Sequence, residues 1–193
     1  MRTGIFGGSF NPIHNGHVKL ALKLLKALKL DEVWLMVTPQ NPWKQQADLL
    51  DDTQRFLLAQ AALEGIDGLV ASDYEFRLPK PSYTWDTLQA LSRDFPDREF
   101  TLLIGGDNWE KFGSWYMHDQ ILAHYDIAVY PRKGYAIDTA TLPANVSVLR
   151  TRLINISSTQ IRERIRKGLP IDELVPPPVA ALIREHGWYA ANG

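Results

Sequence analysis

The stretch GIFGGSFNPIHNGHVKL, which begins at Gly4, carries the residues best suited to chemistry. Gly7 and Gly8 allow the backbone to turn sharply and to approach a ligand closely. Unpaired amides there, and at the start of the helix that follows, favour an anion. The stretch lacks the Gly-Lys-Ser/Thr ending of a Walker loop and does not match the Gly-x-Gly-x-x-Gly dinucleotide fingerprint. The pattern therefore indicates an anion-binding turn outside these two motifs.

His14 and His17 are three residues apart, so their imidazoles face the same way if a helix begins near Asn15. Three interpretations are open: the pair holds a metal ion, the pair has only loop and capping roles, or both rings donate hydrogen bonds to phosphate oxygens. A metal site would need a third nitrogen, sulfur or carboxylate ligand, and none lies nearby in the sequence. We favour phosphate donors at a helix N-terminus.

A second segment with chemical potential, INISSTQIRERI (154–165), lies late in the chain. Ser157 and Gln160 have capping-box spacing, so a plain helix cap is one interpretation of this segment. Taken together, GGSFNPIHNGH (7–17) and Ile-Ser-Ser-Thr followed by Arg162 resemble the two signatures of the nucleotidyltransferase superfamily. The first of these signatures is His-x-Gly-His.

Within that superfamily the chain most resembles the bacterial nicotinate-mononucleotide adenylyltransferases, over nearly its whole length. KPSYTWDTL (80–88) is similar to their segment at the nicotinate end, LIGGDNWEKFGSWY (103–116) to one with an Asp and a ring-stacking Trp, and YPRKGY (130–135) to the loop beside adenine. The resemblance implies a doubly wound, mainly parallel α/β sheet of Rossmann-like nucleotidyltransferase type, with helices on both faces. It also implies an enzyme of NAD biosynthesis that joins ATP to nicotinate mononucleotide, giving nicotinate adenine dinucleotide and pyrophosphate.

The resemblance further implies roles for individual residues of this chain. The catalytic set is His14, His17 and Arg162. The ATP-binding set is Gly7, Gly8, Ser9, Phe10, His14, Gly16, His17, Lys44, Gly105, Asp107, Arg132, Ser157, Ser158, Thr159 and Arg162. The set that binds nicotinate mononucleotide is Gly8, Ser9, Phe10, Lys44, Ser82, Tyr83, Thr84 and Trp115.

Elementary chemistry agrees with several of these roles but leaves alternatives. Free amides where a helix starts at Tyr83 and Thr84 would favour the carboxylate of a pyridine ring. Trp115 offers a flat face to such a ring, or is an ordinary packing residue. Asp107 meets a ribose hydroxyl or a magnesium-bound water, or caps a helix. Arg132 lies against adenine, or is a solvated side chain.

The loop after the second strand departs from the family pattern. The family often has Pro-Pro-His-Lys there, whereas this chain has NPWK (41–44). Lys44 keeps a basic residue that suits ATP phosphates. Trp43 stands where the histidine is usual, so the resemblance does not extend to the role of this loop or to its substrate contacts.

In the implied reaction, the phosphate of the mononucleotide attacks the α-phosphorus of ATP and expels pyrophosphate. The nucleophile is already an anion, so alignment and charge neutralisation suffice without a general base. Mg²⁺ is the expected cofactor, held mainly by substrate phosphates and water rather than by a ligand set of the chain.

The sequence can be compared with four other functions. Phosphopantetheine adenylyltransferases and small cytidylyltransferases often have Thr at the first histidine or a Gly-Thr-Phe-Asp loop, whereas this chain has Gly-Ser-Phe-Asn and His14. An aminoacyl-tRNA synthetase would have a Lys-Met-Ser-Lys-Ser element and an anticodon domain. A catalytically silent nucleotide-binding regulator on the same fold stays open, because fold alone does not establish activity.

The residues singled out above follow predicted strands. Strands are predicted at 3–6, 32–38, 69–76, 99–107, 125–132 and 146–150. Helices are predicted at 17–30, 52–65, 84–95, 157–168 and 177–189, with Asp52 and Thr84 as caps. This alternation indicates a parallel sheet whose ligands bind beyond the carboxyl ends of the strands.

Composition sets the remaining expectations. A chain of 193 residues suits one nucleotidyltransferase domain (1–193) whose part from about 150 to 193 is mainly helical. A net charge of -1 gives no reason to expect nucleic acid or an anionic membrane as a partner. The absence of cysteine fits a reducing compartment, and the N-terminus lacks a signal-peptide pattern. We expect a cytoplasmic monomer or homodimer whose partners are ATP and nicotinate mononucleotide.

Overall fold

A computed structural model describes residues 1–40, 48–151 and 154–190. Its strands are β1 (Arg2–Gly8), β2 (Glu32–Val37), β3 (Leu69–Ser72), β4 (Glu99–Gly105), β5 (Asp126–Tyr130) and β6 (Val146–Val148). Its α-helices are α1 (Asn15–Ala27), α2 (Asp52–Leu63), α3 (Thr84–Asp94), α4 (Gly106–Lys111), α5 (His118–His124), α6 (Ser158–Arg166) and α7 (Pro177–His186). Two 3₁₀ turns, Tyr74–Arg77 and Phe112–Ser114, join these elements.

The six strands form one parallel sheet in the order β3-β2-β1-β4-β5-β6. The chain moves outward from β1 in one direction and then returns to build β4 on the other side of β1. Ligands of open α/β sheets bind at such a reversal of strand order. The paired register of β1 and β4 ends at Phe6 and Leu103, whereas β1 and β2 stay paired as far as Gly8 and Val37. A crevice therefore opens between β1 and β4 at their carboxyl ends.

Helices cover both faces of the sheet because its strand residues alternate between two hydrophobic clusters. Phe6, Leu35 and Leu103 pack in one cluster with residues of α1, α2, α6 and α7. Their neighbours Ile5 and Leu102 pack in the other with residues of α3 and α5. A parallel sheet is buried on both faces, which explains why its strands are nearly continuous apolar runs. The doubly wound α/β prediction is confirmed.

Helix α1 buries a narrower stripe than the spacing of its leucines suggests. Val18, Ala21 and Leu24 face the sheet and are buried. Leu22, which lies one turn after Val18, is 39% exposed. The helix begins two residues earlier than predicted, at Asn15, because His14 caps it.

Several predicted boundaries are wrong at the carboxyl ends of strands. The strand predicted for 69–76 ends at Ser72 and continues as a 3₁₀ turn, and the one predicted for 99–107 ends at Gly105. Helices α4 and α5 were not predicted because six or seven residues show too little of a 3.6-residue period.

Two predicted helix caps are also wrong. Asp51, one residue before the predicted Asp52, caps α2 by accepting the amide of Thr53 at 2.8 Å. The Asp52 carboxylate bonds instead to Arg55 and to the amide of Gln40. Helix α3 has Tyr83 rather than Thr84 at the N-cap, and no side chain caps it.

None of the helices in the described ranges has the length and apolar character that a membrane crossing requires.

Candidate active site

His14 and His17 cap the start of α1 reciprocally. Nδ1 of His14 accepts the amides of Gly16 at 3.1 Å and His17 at 3.4 Å. Nδ1 of His17 accepts the amide of His14 at 3.2 Å, which completes a capping box built from two imidazoles. A nitrogen that accepts a hydrogen bond carries no proton, so in each neutral ring the proton resides on Nε2. Each histidine thus keeps one N–H group to donate.

Both histidine rings are held in the neutral form. Burial lowers the pKa of His14 to about 4, and the positive charge of Arg132 acts in the same direction. Burial also places the pKa of His17 well below its usual value, with His14 and Arg132 contributing. The rings stack with centroids 3.6 Å apart, and the edge of Phe10 packs against His17. At neutral pH the pair presents uncharged hydrogen-bond donors.

These histidines line a cleft of about 310 Å³ on the α1 side of the sheet. Gly16 and Arg132 also line it, so the structure brings together four of the predicted ATP-binding residues. Apolar side chains form much of the remaining wall: Phe6, Leu20, Tyr130, Ile154 and Ile156. A partly apolar cleft with a few convergent donors suits a nucleotide base next to phosphates.

Asp107 and Arg132 meet above Gly105, at the ends of β4 and β5. The Nε atom of Arg132 lies 3.6 Å from Oδ1 of Asp107. A Cβ added to Gly105 would lie 2.5 Å from that oxygen, so only glycine permits this close approach. Gly105 is the N-cap residue of α4 and no side chain caps the helix, so the capping interpretation of Asp107 is wrong. Its Oδ1 is buried without a hydrogen-bond partner among the described residues.

Ser158 and Arg162 of the second signature segment hold the loop after β1 in place. Ser157 caps α6 by accepting the amide of Gln160 at 3.2 Å. Ser158 Oγ donates to the carbonyl oxygen of Pro12 at 2.9 Å. Nη1 of Arg162 donates to the carbonyl oxygen of Asn11 at 2.8 Å.

Direct contacts from this segment to ATP stay predictions. Ile154 to Ile156, which precede the serines, line the cleft. Ser157 and Thr159 are exposed to solvent. The Nε atom of Arg162 is buried and has no hydrogen-bond partner within the described ranges, so the guanidinium keeps a donor for a ligand.

A second cavity of about 250 Å³ lies on the opposite, α3 side of the sheet. Gly7, Gly8, Thr84 and Trp115 line it together, although they come from three separate parts of the sequence. Ser82 and Tyr83 line a neighbouring groove instead, and the Tyr83 ring packs near that of Tyr116. The structure thus unites Gly8, Thr84 and Trp115 of the set predicted for nicotinate mononucleotide. It also places Gly7, which was predicted for ATP binding alone, in this cavity.

Three predicted residues are not among the described residues that line either cavity. Ser9 is exposed, and its carbonyl oxygen accepts a hydrogen bond from Arg55. The Phe10 side chain is buried at a φ of 46°, so only its backbone remains for a ligand. Lys44 and the neighbouring Trp43 lie outside the described residues.

Sequence reasoning missed Arg55, which is fully buried beneath the site. Its Nη1 atom donates to the carbonyl oxygens of Ser9 at 2.6 Å and Thr38 at 2.9 Å, and its Nε donates to Leu50 at 3.0 Å. It thereby ties the loop after β1 to the loop after β2. An arginine on a helix usually lies on the face exposed to solvent, so the sequence carries no signal for this buried role.

Asn11 was also missed, although it lies in the first motif. It is buried, and its Oδ1 accepts the hydroxyl of Tyr189 at 2.7 Å and the amide of Leu50 at 3.2 Å. The carboxyl-terminal region therefore contacts the loop that carries the histidines.

Comparison with known proteins identifies the family. A family model described as cytidylyltransferase-like matches residues 5–164. A probable nicotinate-nucleotide adenylyltransferase from Bacteroides fragilis is 49% identical over 178 residues, which are 92% of this chain and 89% of that protein. The chain belongs to the nicotinate-nucleotide adenylyltransferase family. A relative with the same name from Cytophaga hutchinsonii is 42% identical over 98% of this chain and 99% of its own.

A solved structure supports the fold of this adenylyltransferase family. The nicotinic acid mononucleotide adenylyltransferase of Plasmodium falciparum, complexed with NaAD, superposes with a TM-score of 0.81. The two proteins share 19% sequence identity, and the match covers 97% of each chain. At this identity the likeness concerns the fold. The family model and the curated relatives show that the protein is a nucleotidyltransferase, as its two signatures predicted.

Proposed function

We propose that the protein transfers the adenylyl group of ATP to nicotinate mononucleotide, releasing pyrophosphate and forming nicotinate adenine dinucleotide for NAD biosynthesis. The observation that carries this proposal is the pair of cavities flanking the carboxyl end of β1, one on each face of the sheet. A dinucleotide has two nucleoside ends joined by phosphates. Gly7 and Gly8 lie where those phosphates would cross from one cavity to the other.

ATP occupies the cleft on the α1 side in this proposal. The Nε2–H groups of His14 and His17 donate to its phosphate oxygens, and the first amides of α1 add the positive end of the helix dipole. Arg132 lies across the adenine ring or alongside the phosphates. Arg162 meets the phosphates through Nε, joined by Thr159, while Ser158 keeps its bond to Pro12.

Nicotinate mononucleotide occupies the cavity on the α3 side. The amides at the start of α3 have no side-chain cap, so they are free to bind the pyridine carboxylate. Trp115 stacks on the ring. A buried donor left unpaired costs about 1–3 kcal/mol, so we expect the nicotinamide form to be disfavoured.

The residues promote transfer by positioning and electrostatics. The mononucleotide phosphate is an anion and attacks the α-phosphorus in line, so no group of the protein has to remove a proton. Neutral imidazoles stabilise the charge on the transferring phosphoryl oxygens as donors, not as acids. Because hydrogen bonds from backbone amides fix both imidazole rings, little reorganisation accompanies the transfer step.

Mg²⁺ is the cofactor that we propose. Among the described residues no group of three potential ligand side chains forms a protein metal site, and a pairing of His14 with His17 therefore lacks the further ligands it needs. Asp107, with its unpartnered buried Oδ1, supplies a carboxylate that fits a Mg²⁺-bound water. When bound to the triphosphate, the ion neutralises charge on the pyrophosphate leaving group.

We propose that the enzyme works in the cytoplasm as a monomer or homodimer. The near balance of 21 basic and 22 acidic side chains gives no electrostatic reason for a nucleic acid or anionic membrane partner.

Pyrophosphate release from ATP and magnesium tests the substrate. Nicotinate mononucleotide, nicotinamide mononucleotide and phosphopantetheine are supplied as separate acceptors. Fast release with the first alone supports both the reaction and the carboxylate-binding cavity. Release with phosphopantetheine alone would show that nicotinate mononucleotide is not the substrate. If the protein still binds ATP but releases no pyrophosphate with any of the three acceptors, the result would indicate a regulator.

A further inference from the structure

Glu75 is a buried acid in the cavity assigned to nicotinate mononucleotide. It lies in the 3₁₀ turn after β3, is 6% exposed, and lines the 250 Å³ cavity together with Thr84 and Trp115. Its Oε1 accepts the hydroxyl of Thr87 at 2.8 Å. Its Oε2 is buried and has no hydrogen-bond partner in the part of the chain that the structure describes. A residue that lines the cavity thus has one carboxyl oxygen without a hydrogen-bond partner.

The bond from Thr87 determines which carboxyl oxygen carries a proton when Glu75 is neutral. Oε1 already accepts a hydrogen bond, so the proton of the neutral acid resides on Oε2. Burial raises the pKa of Glu75 to about 7, and the Thr87 hydroxyl opposes this in part. The acid is therefore easily protonated near neutral pH.

The residues around the cavity offer few groups that could compete with Glu75 for this proton. The elements packed around the cavity present Met36 from β2 and Thr38 just after it, Leu102 and Ile104 from β4, and Thr84, Thr87 and Leu88 from α3. No other titratable side chain lines the cavity within residues 1–40, 48–151 and 154–190.

Charged and titratable groups near Glu75 on the same turn and on α3 have partners elsewhere. The Tyr74 hydroxyl donates to Asp94 at 2.6 Å, and the Arg77 guanidinium lies 4.5 Å from the centre of the Tyr74 ring. Asp86 lines the neighbouring groove with Ser82 and Tyr83.

We propose that Glu75 helps to bind the substrate carboxylate, its Oε2–H group donating a hydrogen bond to it. This inference rests on the proposed function of the cavity. An ionised Glu75 would repel a carboxylate, so substrate binding selects the protonated acid. At pH 8, where free Glu75 is largely ionised, binding nicotinate mononucleotide therefore takes up close to one proton.

Calorimetry at pH 8 in buffers of different ionisation enthalpy measures that proton directly. The substrate phosphate is already a dianion at this pH, and both site histidines are neutral. The wild-type protein should take up close to one proton on binding nicotinate mononucleotide, and Glu75→Gln should take up none. The glutamine accepts from Thr87 through Oε1 and donates permanently through Nε2, so it should keep the KM for nicotinate mononucleotide within about threefold.

Glu75→Met supplies an apolar variant of similar length. It should raise the KM for nicotinate mononucleotide about tenfold or more and leave the KM for ATP within about twofold. Binding by the wild type without proton uptake, or an unchanged KM in Glu75→Met, would overturn the role of Glu75. Should Glu75→Met not fold, the wild type and Glu75→Gln still decide the matter through proton uptake. Failure of the proposed function is distinct, because the wild type would then not turn over nicotinate mononucleotide at all.

Discussion

His17 accepts the amide of His14 through Nδ1, while Nδ1 of His14 accepts the amide of His17 in return. This reciprocal relationship fixes both ring orientations and both tautomers. It also uses the backbone of the motif itself, so no second side chain is needed to orient either ring. The Nε2–H groups are left for the cleft, and burial keeps the rings uncharged.

NMR titration of the histidine rings should reveal this tautomer in the free protein. We expect two of the five histidines to remain neutral, with the proton on Nε2, from pH 8 down to pH 5. The reason is that a lowered pKa preserves the neutral base at lower pH, and the pKa of His14 is about 4. His14→Asn and His17→Asn assign the two signals. Titration of either ring near pH 6.5 would refute the neutral pair.

Removing one histidine should reduce turnover without unfolding the protein. His17→Ala is expected to lower kcat more than about a hundredfold, the effect of losing one preorganised electrostatic donor. The measurement is steady-state pyrophosphate release with saturating ATP and nicotinate mononucleotide. His124→Ala, on the exposed end of α5, is the control and should stay within about twofold. If the kcat of His17→Ala stays within a few-fold of the wild-type value, His17 has no such role in the mechanism.

Gly105→Ala should weaken ATP binding through crowding. The added Cβ would meet Asp107 Oδ1 at 2.5 Å and two atoms of the Arg132 side chain at 3.0 Å, so both side chains must shift. We expect the KM for ATP to rise about tenfold while circular dichroism stays unchanged. Gly113→Ala has nothing within 4 Å of the new Cβ and should behave as wild type. Equal KM values for the two variants would show that the Asp107–Arg132 arrangement does not matter.

Arg55→Met should be strongly destabilising because it leaves several buried acceptors without a donor. We expect the free energy of unfolding to fall by about 3–5 kcal/mol in urea denaturation. Arg93→Met is matched to it, since Arg93 also pairs with an aspartate but its side chain is 73% exposed. That control should leave the urea midpoint almost unchanged, because solvent screens an exposed pair. A loss below about 1 kcal/mol in Arg55→Met would contradict a supporting role for Arg55.

The sequence predicted the sheet and the histidine motif because both depend on local patterns. Apolar runs marked the strands, and the spacing of His14 and His17 was sufficient to place both at one helix start. The elements between β4 and β5 escaped prediction because α4 and α5 are too short to show a period. This region shows tertiary packing rather than a sequence period, because the rings of Trp109 and Phe112 stack on each other.

The residues that connect distant segments could not be predicted in this way. Arg55 and Glu75 have an ordinary sequence context, whereas Asn11 lies in the first motif. The roles of all three arise from burial against elements far along the chain. Glu75 meets Thr87 only because β3 delivers its 3₁₀ turn against α3. A polar residue in the core is recognised by its partners, and a single sequence does not contain that information.

Position-labelled ATP tests the central claim of adenylyl transfer most directly. The enzyme is given nicotinate mononucleotide, Mg²⁺ and ATP labelled with ³²P at either the α or the γ phosphate, and the products are separated by chromatography. We predict that the α label enters a dinucleotide that co-migrates with nicotinate adenine dinucleotide, while the γ label leaves as pyrophosphate. Appearance of the γ label on the mononucleotide, or of neither label in any product, would contradict the account.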